Sequence, residues 1–414
     1  MGSKSVDVNG RTYHWPKAPL VVICCDGSEP AYMEIAMREG LMPHLKRMIV
    51  RGENKLGLSV IPSFTNPNNL SIVTGTPPAV HGICGNYLID PDTGKETMMN
   101  DPKWLRAPTI FEKFQQAGAK VAVVTAKDKL RLLLGKGLRF DGTAVAFSSE
   151  RADKATMADN GIKGICATVG MGVPEVYSAA LSEFVFAAGV KLLASMKPDL
   201  MYLSTTDYVQ HKYAPGSPGA NSFYKMMDGY LGQLHALGAI IVIVADHGMK
   251  DKHLANGDPD VVYLQEALDE EFGADVAKVI LPITDPYVVH HGALGSFATI
   301  YVKGRAVDDV AKAIAKLPGI DVVLNRADGC ARFELPPDRM GDLLVVSGGP
   351  KGSKVIGTSR ARHDLSRLNE PLRSHGGLTE QTIPVIVNRK THDLPENLRN
   401  FDAFFIGCNC ITEA

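Results

Sequence analysis

The feature that most constrains the fold is a set of short, continuous apolar runs that alternate with segments of helical periodicity. The runs are rich in β-branched residues and span 20–25, 121–125, 200–204, 239–245 and 383–388, with a weaker one at 56–61. Continuous apolar runs are expected of parallel strands that helices cover on both faces. Helical spacing at 42–51, 109–117 and 176–196 supplies such helices. We therefore predict an α/β fold around a mostly parallel sheet with helices on both faces.

The segment from 253 to 368 has a different pattern. It holds its own short strands at 297–302 and 343–346, a helix at 307–316, and the sequence His290-His291-Gly292, whose role is open. A chain of 414 residues exceeds one ordinary core, so a large domain and a smaller one are expected. We predict a core formed by residues 1–252 and 369–414, with residues 253–368 inserted as a smaller α+β lid.

Composition excludes several classes of partner. A net charge of −1 creates no long-range field that would attract nucleic acid or an anionic membrane, so an anionic substrate must be held by local cations or metals. The seven cysteines form no C-x-x-C pair and are interpreted as buried, reduced thiols. With no signal peptide visible, these features predict a cytoplasmic protein without a membrane partner. The oligomeric state is open, a homodimer included.

Polar side chains follow several of the predicted strands. Asp26 comes after the run at 20–25, Lys127 lies just past 121–125, Asp207 lies a short turn beyond 200–204, and Asp246 ends the run at 239–245. In open α/β sheets, ligands bind at the carboxyl ends of the strands. We therefore expect these side chains at one edge of the sheet.

Three fragments carry side chains that bind metals. They are Asp207-x-x-x-His211, Asp246-His247-Gly248 and Ser374-His375-Gly376. Each alone has an ordinary explanation, as a surface pair sharing a helical face, as a helix cap or as a loop residue. With Asp26 they supply three aspartates and three histidines, which is a ligand set for two metal ions. Carboxylate and neutral imidazole suit zinc, and manganese and iron also accept them.

Thr65 is the candidate nucleophile. It lies in Ser63-Phe-Thr-Asn-Pro-Asn-Asn69, after a strand-like run and before a helical segment. A hydroxyl is a poor nucleophile at neutral pH, and a metal ion would lower its pKa. A helix N-terminus at this point would also present backbone amides to a phosphoryl oxygen. The alternative, that Thr65 only caps the helix, stays open on local grounds.

Six groups of motifs occur in a fixed order along the chain. They are Asp26-Gly27; Thr65-x-Pro67-Asn68 with Thr74-Gly75; His81-Gly82-Ile83 with Asn86; Asp207-x-x-x-His211; Asp246-His247-Gly248; and His375-Gly376. In this order the chain resembles the alkaline phosphatase superfamily, and most of all its nucleotide pyrophosphatase/phosphodiesterase branch. The motifs span most of the chain outside the predicted lid.

The resemblance implies an alkaline phosphatase-like core and a role for each matched residue. One zinc ion would be held by Asp207, His211 and His375, and the other by Asp26, Asp246 and His247, with Thr65 bridging toward it as the nucleophile. Asn86 matches a residue that donates to a phosphoryl oxygen. His81 is expected to brace its loop.

Lys127 and Lys129 bear on the substrate. On an extended segment two such lysines face the same side, and a solvated charge cluster is the alternative. Beside a metal centre they would bind a second anion, a pattern that resembles the phosphonate-hydrolysing members of the superfamily. The resemblance implies phosphonoacetate as the substrate, cleaved to acetate and phosphate through a phosphothreonine at Thr65. The expected substrate contacts are Thr65, Asn86, Lys127, Lys129, His211 and His375.

Other functions stay open. A phosphodiesterase or nucleotide pyrophosphatase would use the same metals but would favour an uncharged aromatic slot over paired lysines. From another class, a non-catalytic metal- or anion-binding protein could share the fold, although the intact ligand set counts against it. A sulfatase is disfavoured because its Cys/Ser-x-Pro-x-Arg motif is absent. A phosphoglycerate mutase-like enzyme would use serine and manganese.

Overall fold

The strands and helices alternate along most of the chain in the computed structural model, which describes residues 4–284, 292–349, 353–363, 365, 368 and 370–412. His290 and His291 lie outside the described residues. The strands are β1 (Ser5–Val8), β2 (Arg11–His14), β3 (Leu20–Cys24), β4 (Glu53–Leu58), β5 (Tyr87–Ile89), β6 (Glu96–Met98), β7 (Val121–Thr125), β8 (Ala144–Ser148), β9 (Leu200–Ser204), β10 (Ile240–Val244), β11 (Lys250–Asp251), β12 (Val261–Tyr263), β13 (Ala277–Ile280), β14 (Phe297–Val302), β15 (Ile320–Asn325), β16 (Leu343–Ser347), β17 (Val355–Gly357), β18 (Arg373–Ser374) and β19 (Thr382–Val387).

The α-helices connect these strands and cover the sheets. They are α1 (Pro30–Arg38), α2 (Pro43–Arg51), α3 (Thr65–Thr74), α4 (Pro78–His81), α5 (Ile110–Gln116), α6 (Asp128–Leu134), α7 (Met157–Asn160), α8 (Ile165–Val169), α9 (Ala180–Ser195), α10 (Tyr208–Lys212), α11 (Pro218–Ala236), α12 (Leu264–Phe272), α13 (Val307–Ile314), α14 (Arg326–Phe333) and α15 (Ala403–Asn409). None of the helices in the described part of the chain is long and apolar enough to span a membrane.

A seven-stranded sheet with the order β4-β19-β10-β3-β9-β7-β8 forms the centre of the fold. The five strands from β10 to β8 run parallel, as the continuous apolar runs predicted. The run at 383–388 was expected to be parallel too, and this expectation was wrong, because β19 is antiparallel to both β10 and β4. The chain enters β19 from the edge where the parallel strands end, directly after the His375 loop, and must therefore run in the opposite direction.

Alternate strand residues face two separate apolar layers. In β3, Leu20 and Val22 belong to a layer with α3, α5 and α15, whereas Val21 and Ile23 belong to the opposite layer with α1, α2, α9 and α11. All of these strand side chains are fully buried. Burial of each contributes about 1.5–3 kcal/mol, so helices on both faces stabilise the sheet. The predicted α/β class with helices on both faces is confirmed.

The insertion forms a sheet of its own. Strands β13, β14, β16 and β15 make a four-stranded antiparallel sheet in that order, and α12, α13 and α14 accompany it. Its buried apolar residues, such as Phe297 and Val345, belong to the same continuous cluster as Leu20 and Leu70 of the core. This sheet therefore packs against the core, and the division at residues 253 and 368 stays a prediction. All seven cysteines are free.

Candidate active site

Three neighbouring strands bring the predicted aspartates together. Asp26, Asp246 and Asp207 follow β3, β10 and β9, which lie side by side in the sheet with their carboxyl ends at one edge. The polar segment after each strand is therefore gathered into one place. Asp26 and Asp246 are almost completely buried, although carboxylates are seldom buried without a partner charge.

The six Asp and His side chains form two triads, each with its ligand atoms within 4.8 Å of one another. One triad is Asp207, His211 and His375, and the other is Asp26, Asp246 and His247. In the first, Asp207 Oδ2 lies 2.9 Å from His211 Nε2 and 3.6 Å from His375 Nε2. In the second, His247 Nε2 lies 3.4 Å from Asp26 Oδ1 and 3.8 Å from Asp246 Oδ2.

The two triads are in contact through one imidazole ring from each. The rings of His247 and His375 stack with centroids 3.7 Å apart and an interplanar angle of 7°. The structure therefore brings together all six predicted ligands in two adjacent groups, although His375 is more than 160 residues from Asp207 in sequence.

Each of the three histidines points Nε2 toward its triad and forms a hydrogen bond with a backbone carbonyl through its second ring nitrogen, Nδ1. Nδ1 of His211, His247 and His375 lies 2.7, 2.9 and 2.8 Å from the carbonyl oxygens of Arg373, Gly248 and Ser63 respectively. A carbonyl can only accept, so Nδ1 carries a proton, and Nε2, which points toward the triad, is the nitrogen left to bind a metal ion. This tautomer is the one that a metal-binding histidine requires.

The charges at the site fit divalent cations. Burial, followed by the charges of Asp207 and Asp246, raises the pKa of Asp26 well above its usual range, and burial also raises the pKa of Asp246. Burial, together with the His247 ring, lowers the pKa of His375 well below its usual range. In the part of the chain that the structure describes, no donor forms a hydrogen bond with the buried Asp26 Oδ1. Three clustered carboxylates beside three imidazoles are an arrangement that divalent cations would stabilise.

Thr65 stands at the first position of α3, beside the second triad. Its Oγ1 lies 3.4 Å from His247 Nε2. Phe64 is the N-cap residue, and no side chain caps this helix. Helix capping therefore does not explain Thr65, and the alternative left open by the sequence is wrong. Thr65, which is half-buried, and Asn66 of the first helical turn line the same cavity as Asp26, Asp207 and His375.

Asn69 supports Thr65 and Asp246 from one helical turn away, and the sequence reasoning gave it no role. Its Nδ2 donates to the Thr65 carbonyl oxygen at 3.0 Å and to Asp246 Oδ2 at 3.1 Å. Its Oδ1 accepts hydrogen bonds from Tyr202 at 2.7 Å and from Ser204 at 2.9 Å. A buried amide with all these partners fixes the nucleophile relative to the second triad. The signal in the sequence was an asparagine four residues after Thr65, on the same helical face.

A cavity of about 270 Å³ opens from the two triads toward the surface. Asp26, Thr65, Asp207 and His375 line it, while His211, Asp246 and His247 are not part of its lining. Further lining residues are Asn86, Lys127, Lys129, Glu150, Arg151, Tyr177 and Tyr208. The cavity thus brings the predicted lysines and Asn86 to the same space as the predicted nucleophile.

The two lysines reach the cavity by a different geometry from the one expected. Lys127 is extended, but α6 begins at Asp128, so Lys129 lies in the first turn of a helix rather than on an extended segment. Both side chains still line the cavity. Lys127 Nζ lies 5.5 Å from the centre of the Tyr177 ring and 3.5 Å from the Val176 carbonyl oxygen.

His81 ends α4, and Asn86 lies in the loop that follows this helix. Asn86 Nδ2 donates to the Ile283 carbonyl oxygen at 3.3 Å while the side chain lines the cavity. His81 is fully buried outside the cavity lining; its Nε2 lies 2.8 Å from Ser71 Oγ, and its Nδ1 accepts from the Ile83 amide. These contacts agree with a bracing role for His81.

A buried ion pair supports the loops that carry His247 and His375. Lys252 Nζ lies 2.9 Å from Glu380 Oε1, and both side chains are 0% exposed. Glu380 Oε2 accepts from the Gly377 amide at 3.0 Å, and its carbonyl oxygen accepts from the Gly248 amide at 2.7 Å. One glutamate therefore connects the segments following both histidines. The sequence reasoning missed this pair because nothing in local spacing relates 252 to 380.

Comparison with known proteins agrees with this geometry. A family model for type I phosphodiesterase / nucleotide pyrophosphatase matches residues 20–377. An uncharacterized pyrophosphatase/phosphodiesterase of Schizosaccharomyces pombe is 23% identical over 244 residues, covering 56% of this chain and 45% of that protein. Venom phosphodiesterase 2 of Crotalus adamanteus is 23% identical over 251 residues, covering 57% and 27% respectively. The matches thus span less than half the length of these curated relatives.

Two kinds of solved structure resemble the whole chain. Phosphonoacetate hydrolase from Sinorhizobium meliloti 1021, solved with phosphonoformate and with phosphonoacetate, is 64% identical with a TM-score of 0.95 and 99% coverage of both chains. Murine ectonucleotide pyrophosphatase / phosphodiesterase 5 is 19% identical with a TM-score of 0.63 and 94% coverage of both chains. The second likeness concerns the fold alone, and it agrees with the α/β architecture described above.

Proposed function

The chain is a hydrolase that belongs to the type I phosphodiesterase / nucleotide pyrophosphatase family, and from this premise we propose that it cleaves the carbon–phosphorus bond of phosphonoacetate to give acetate and phosphate. The 64% identity to the Sinorhizobium meliloti phosphonoacetate hydrolase supports the proposal. The observation that carries it is one cavity in which Thr65 and the Asp/His triads face Lys127 and Lys129.

Two divalent cations, with zinc as the expected metal, are part of the proposal. Asp207, His211 and His375 would hold one, and Asp26, Asp246 and His247 the other. When bound, the cations would neutralise the phosphoryl oxygens and lower the pKa of the Thr65 hydroxyl. In each imidazole, Nδ1 is bound to a backbone carbonyl and Nε2 points toward the triad. Together with the aspartates of each triad, these nitrogen atoms match the donors that zinc prefers.

Thr65 would begin the reaction by attacking phosphorus. Its Oγ1 forms the new P–O bond as the C–P bond breaks, giving a phosphothreonine and releasing the hydroxyl proton to water. Asn69 holds the start of α3 against Asp246, so the hydroxyl is positioned before the substrate arrives. Asn86, in the lining of the same cavity, would donate its second amide hydrogen to a phosphoryl oxygen.

The electron pair of the broken C–P bond passes to the methylene carbon. The resulting carbanion must delocalise into the adjacent carboxylate as an enolate before it is protonated to acetate. Lys127 and Lys129 would bind that carboxylate and stabilise the charge that develops on it. A preorganised donor of this kind contributes about 3–4 kcal/mol to the transition state. Water would then cleave the phosphothreonine, releasing phosphate and restoring the Thr65 hydroxyl.

The test is a product assay on the purified, zinc-loaded protein. Phosphonoacetate, phosphonopyruvate, phosphonoacetaldehyde and a nucleotide diester are each supplied, and phosphate and acetate are quantified by phosphorus and proton NMR. We expect equal amounts of phosphate and acetate from phosphonoacetate, with the highest kcat/KM in the panel. Absence of acetate, or a faster reaction with another phosphonate, would contradict the substrate assignment.

A phosphodiesterase function is the second candidate. Tyr177 and Tyr208 both line the cavity, with ring centres 6.4 Å apart, and an aromatic wall suits a nucleobase. The two lysines beside it instead favour a compact substrate with a second anion. In the panel above, a nucleotide diester that outperforms phosphonoacetate would select this second function.

A further inference from the structure

Arg151 is a third cation in the lining of the cavity, beyond the two lysines that the mechanism uses. Its side chain is exposed, so it stands at the outer mouth rather than beside the triads. The 3₁₀ turn at 149–154 breaks at this residue, which has the non-helical angles φ −127° and ψ 31°. Neither the motifs nor the proposed chemistry account for an arginine here.

The turn that carries Arg151 is fastened to the segment that carries the lysines. The Glu150 amide donates to the Ala126 carbonyl oxygen at 3.1 Å, and the Glu150 carboxylate accepts from the Asp128 amide at 2.8 Å. Ser149 Oγ donates to the Leu181 carbonyl oxygen at 2.8 Å. These bonds fix the backbone of Arg151 relative to Lys127 and Lys129 before any substrate binds.

The acidic residues at the mouth are engaged elsewhere. Asp128 accepts from Arg131 at 3.1 Å and from Ser148 at 2.9 Å, and Glu150 accepts from the start of α6. Within the described residues, the Arg151 guanidinium has neither a hydrogen bond nor an ion pair. Its charge is therefore available to a ligand, whereas an arginine with a purely structural role would be expected to contact the protein.

We infer that Arg151 attracts and orients the anionic substrate at the mouth of the cavity before it reaches Thr65. This inference rests on the proposed function, since phosphonoacetate combines a phosphonate and a carboxylate and carries charge at both ends. A cation at the entrance raises the rate of productive encounter and stabilises the bound anion, without touching the reacting atoms. Arg151 is thus a positioning residue that acts on KM.

The experiment compares Arg151→Gln, Arg151→Lys and the control Lys154→Gln. Lys154 lies on the same turn, is exposed and pairs with Asp153, but it is not part of the cavity lining. Its replacement therefore removes one positive charge near the cavity without changing the lining. For Arg151→Gln we expect kcat/KM for phosphonoacetate to fall roughly three- to tenfold at low ionic strength, chiefly through KM. At high salt the loss should shrink to less than about twofold because of screening.

Arg151→Lys should recover most of the loss, and Lys154→Gln should match the wild type. If Arg151→Gln has the same kcat/KM and salt dependence as Lys154→Gln, the inference is wrong. Calorimetric titration of the zinc-loaded proteins with phosphonoformate provides a reading that needs no turnover. A wild type that binds phosphonoformate but releases no acetate from phosphonoacetate would contradict the proposed function, while the shift in Kd between variants still decides the role of Arg151.

Discussion

Replacing Lys252 by methionine tests whether the buried ion pair holds the two histidine loops in place. The change removes the ammonium 2.9 Å from Glu380 Oε1 and keeps a side chain of similar length, so packing is largely preserved. Glu380 keeps the Gly377 amide and the Thr379 hydroxyl as donors but loses its cation, in a position that is 0% exposed.

The expected cost follows from that burial. Removing one partner of a buried ion pair destabilises a protein by about 3–5 kcal/mol, because the remaining charge is not compensated. Two donors remain to Glu380, so we expect the lower end, about 3 kcal/mol. The double variant Lys252→Met with Glu380→Gln removes the stranded charge and should recover at least about half of the loss. The exposed control Lys154→Met should change stability by less than about 1 kcal/mol.

Urea unfolding of the metal-free proteins measures these differences, and zinc competition with a chelator measures the site. Because Glu380 binds the segments after His247 and His375, Lys252→Met should also weaken zinc binding by roughly 10- to 100-fold. A loss below about 1 kcal/mol would refute the argument. A large loss that the double variant does not recover would place its origin in packing rather than in charge.

Three further predictions concern the site and its surroundings. Thr65→Ala should lower kcat by at least about 1000-fold while metal analysis still finds two zinc ions per chain, and retained turnover would rule out the nucleophile. Lys127→Ala and Lys129→Ala should each lower kcat/KM for phosphonoacetate by about 10²–10³ but affect an aryl phosphate ester far less; equal losses would remove the enolate argument. Burial lowers the pKa of His81 to about 3. Between pH 6 and 4 the unfolded chain therefore binds a proton that the folded chain does not, and the free energy of unfolding decreases as the pH is lowered. His81→Gln should remove about 1.4 kcal/mol per pH unit from that slope in urea unfolding, and an unchanged slope would contradict the neutral, buried assignment.

The strands of the central sheet were largely predictable because most of them are continuous β-branched runs. Ala144–Ser148 was missed, since its sequence AVAFS has a single β-branched residue. The predicted direction of Thr382–Val387 was also wrong, because the composition of an apolar run does not depend on the direction in which it crosses a sheet. Direction is decided by the point at which the chain re-enters the core after the insertion.

The grouping of site residues was predictable only in part from the residues themselves. Strand ends placed Asp26, Asp207 and Asp246 at one edge of the sheet, but the assignment of His375 to Asp207 came from a resemblance. Arg151 lies in no sequence motif, because its place in the cavity lining depends on a break in a 3₁₀ turn, and this break has no sequence signature.

The antiparallel strand β19 also has a consequence for the order of events during synthesis. Among the described residues, β4 has β19 as its single neighbour in the central sheet, and β19 separates β4 from β10. A nascent chain that has emerged only to residue 372 can already contain Asp26, Asp246 and His247, but it lacks His375. The ribosome therefore delivers the last ligand of one triad and the strand that joins β4 to the sheet within the same fifteen residues. Completion of the Asp207, His211 and His375 triad and closure of the sheet therefore become a single late step of folding.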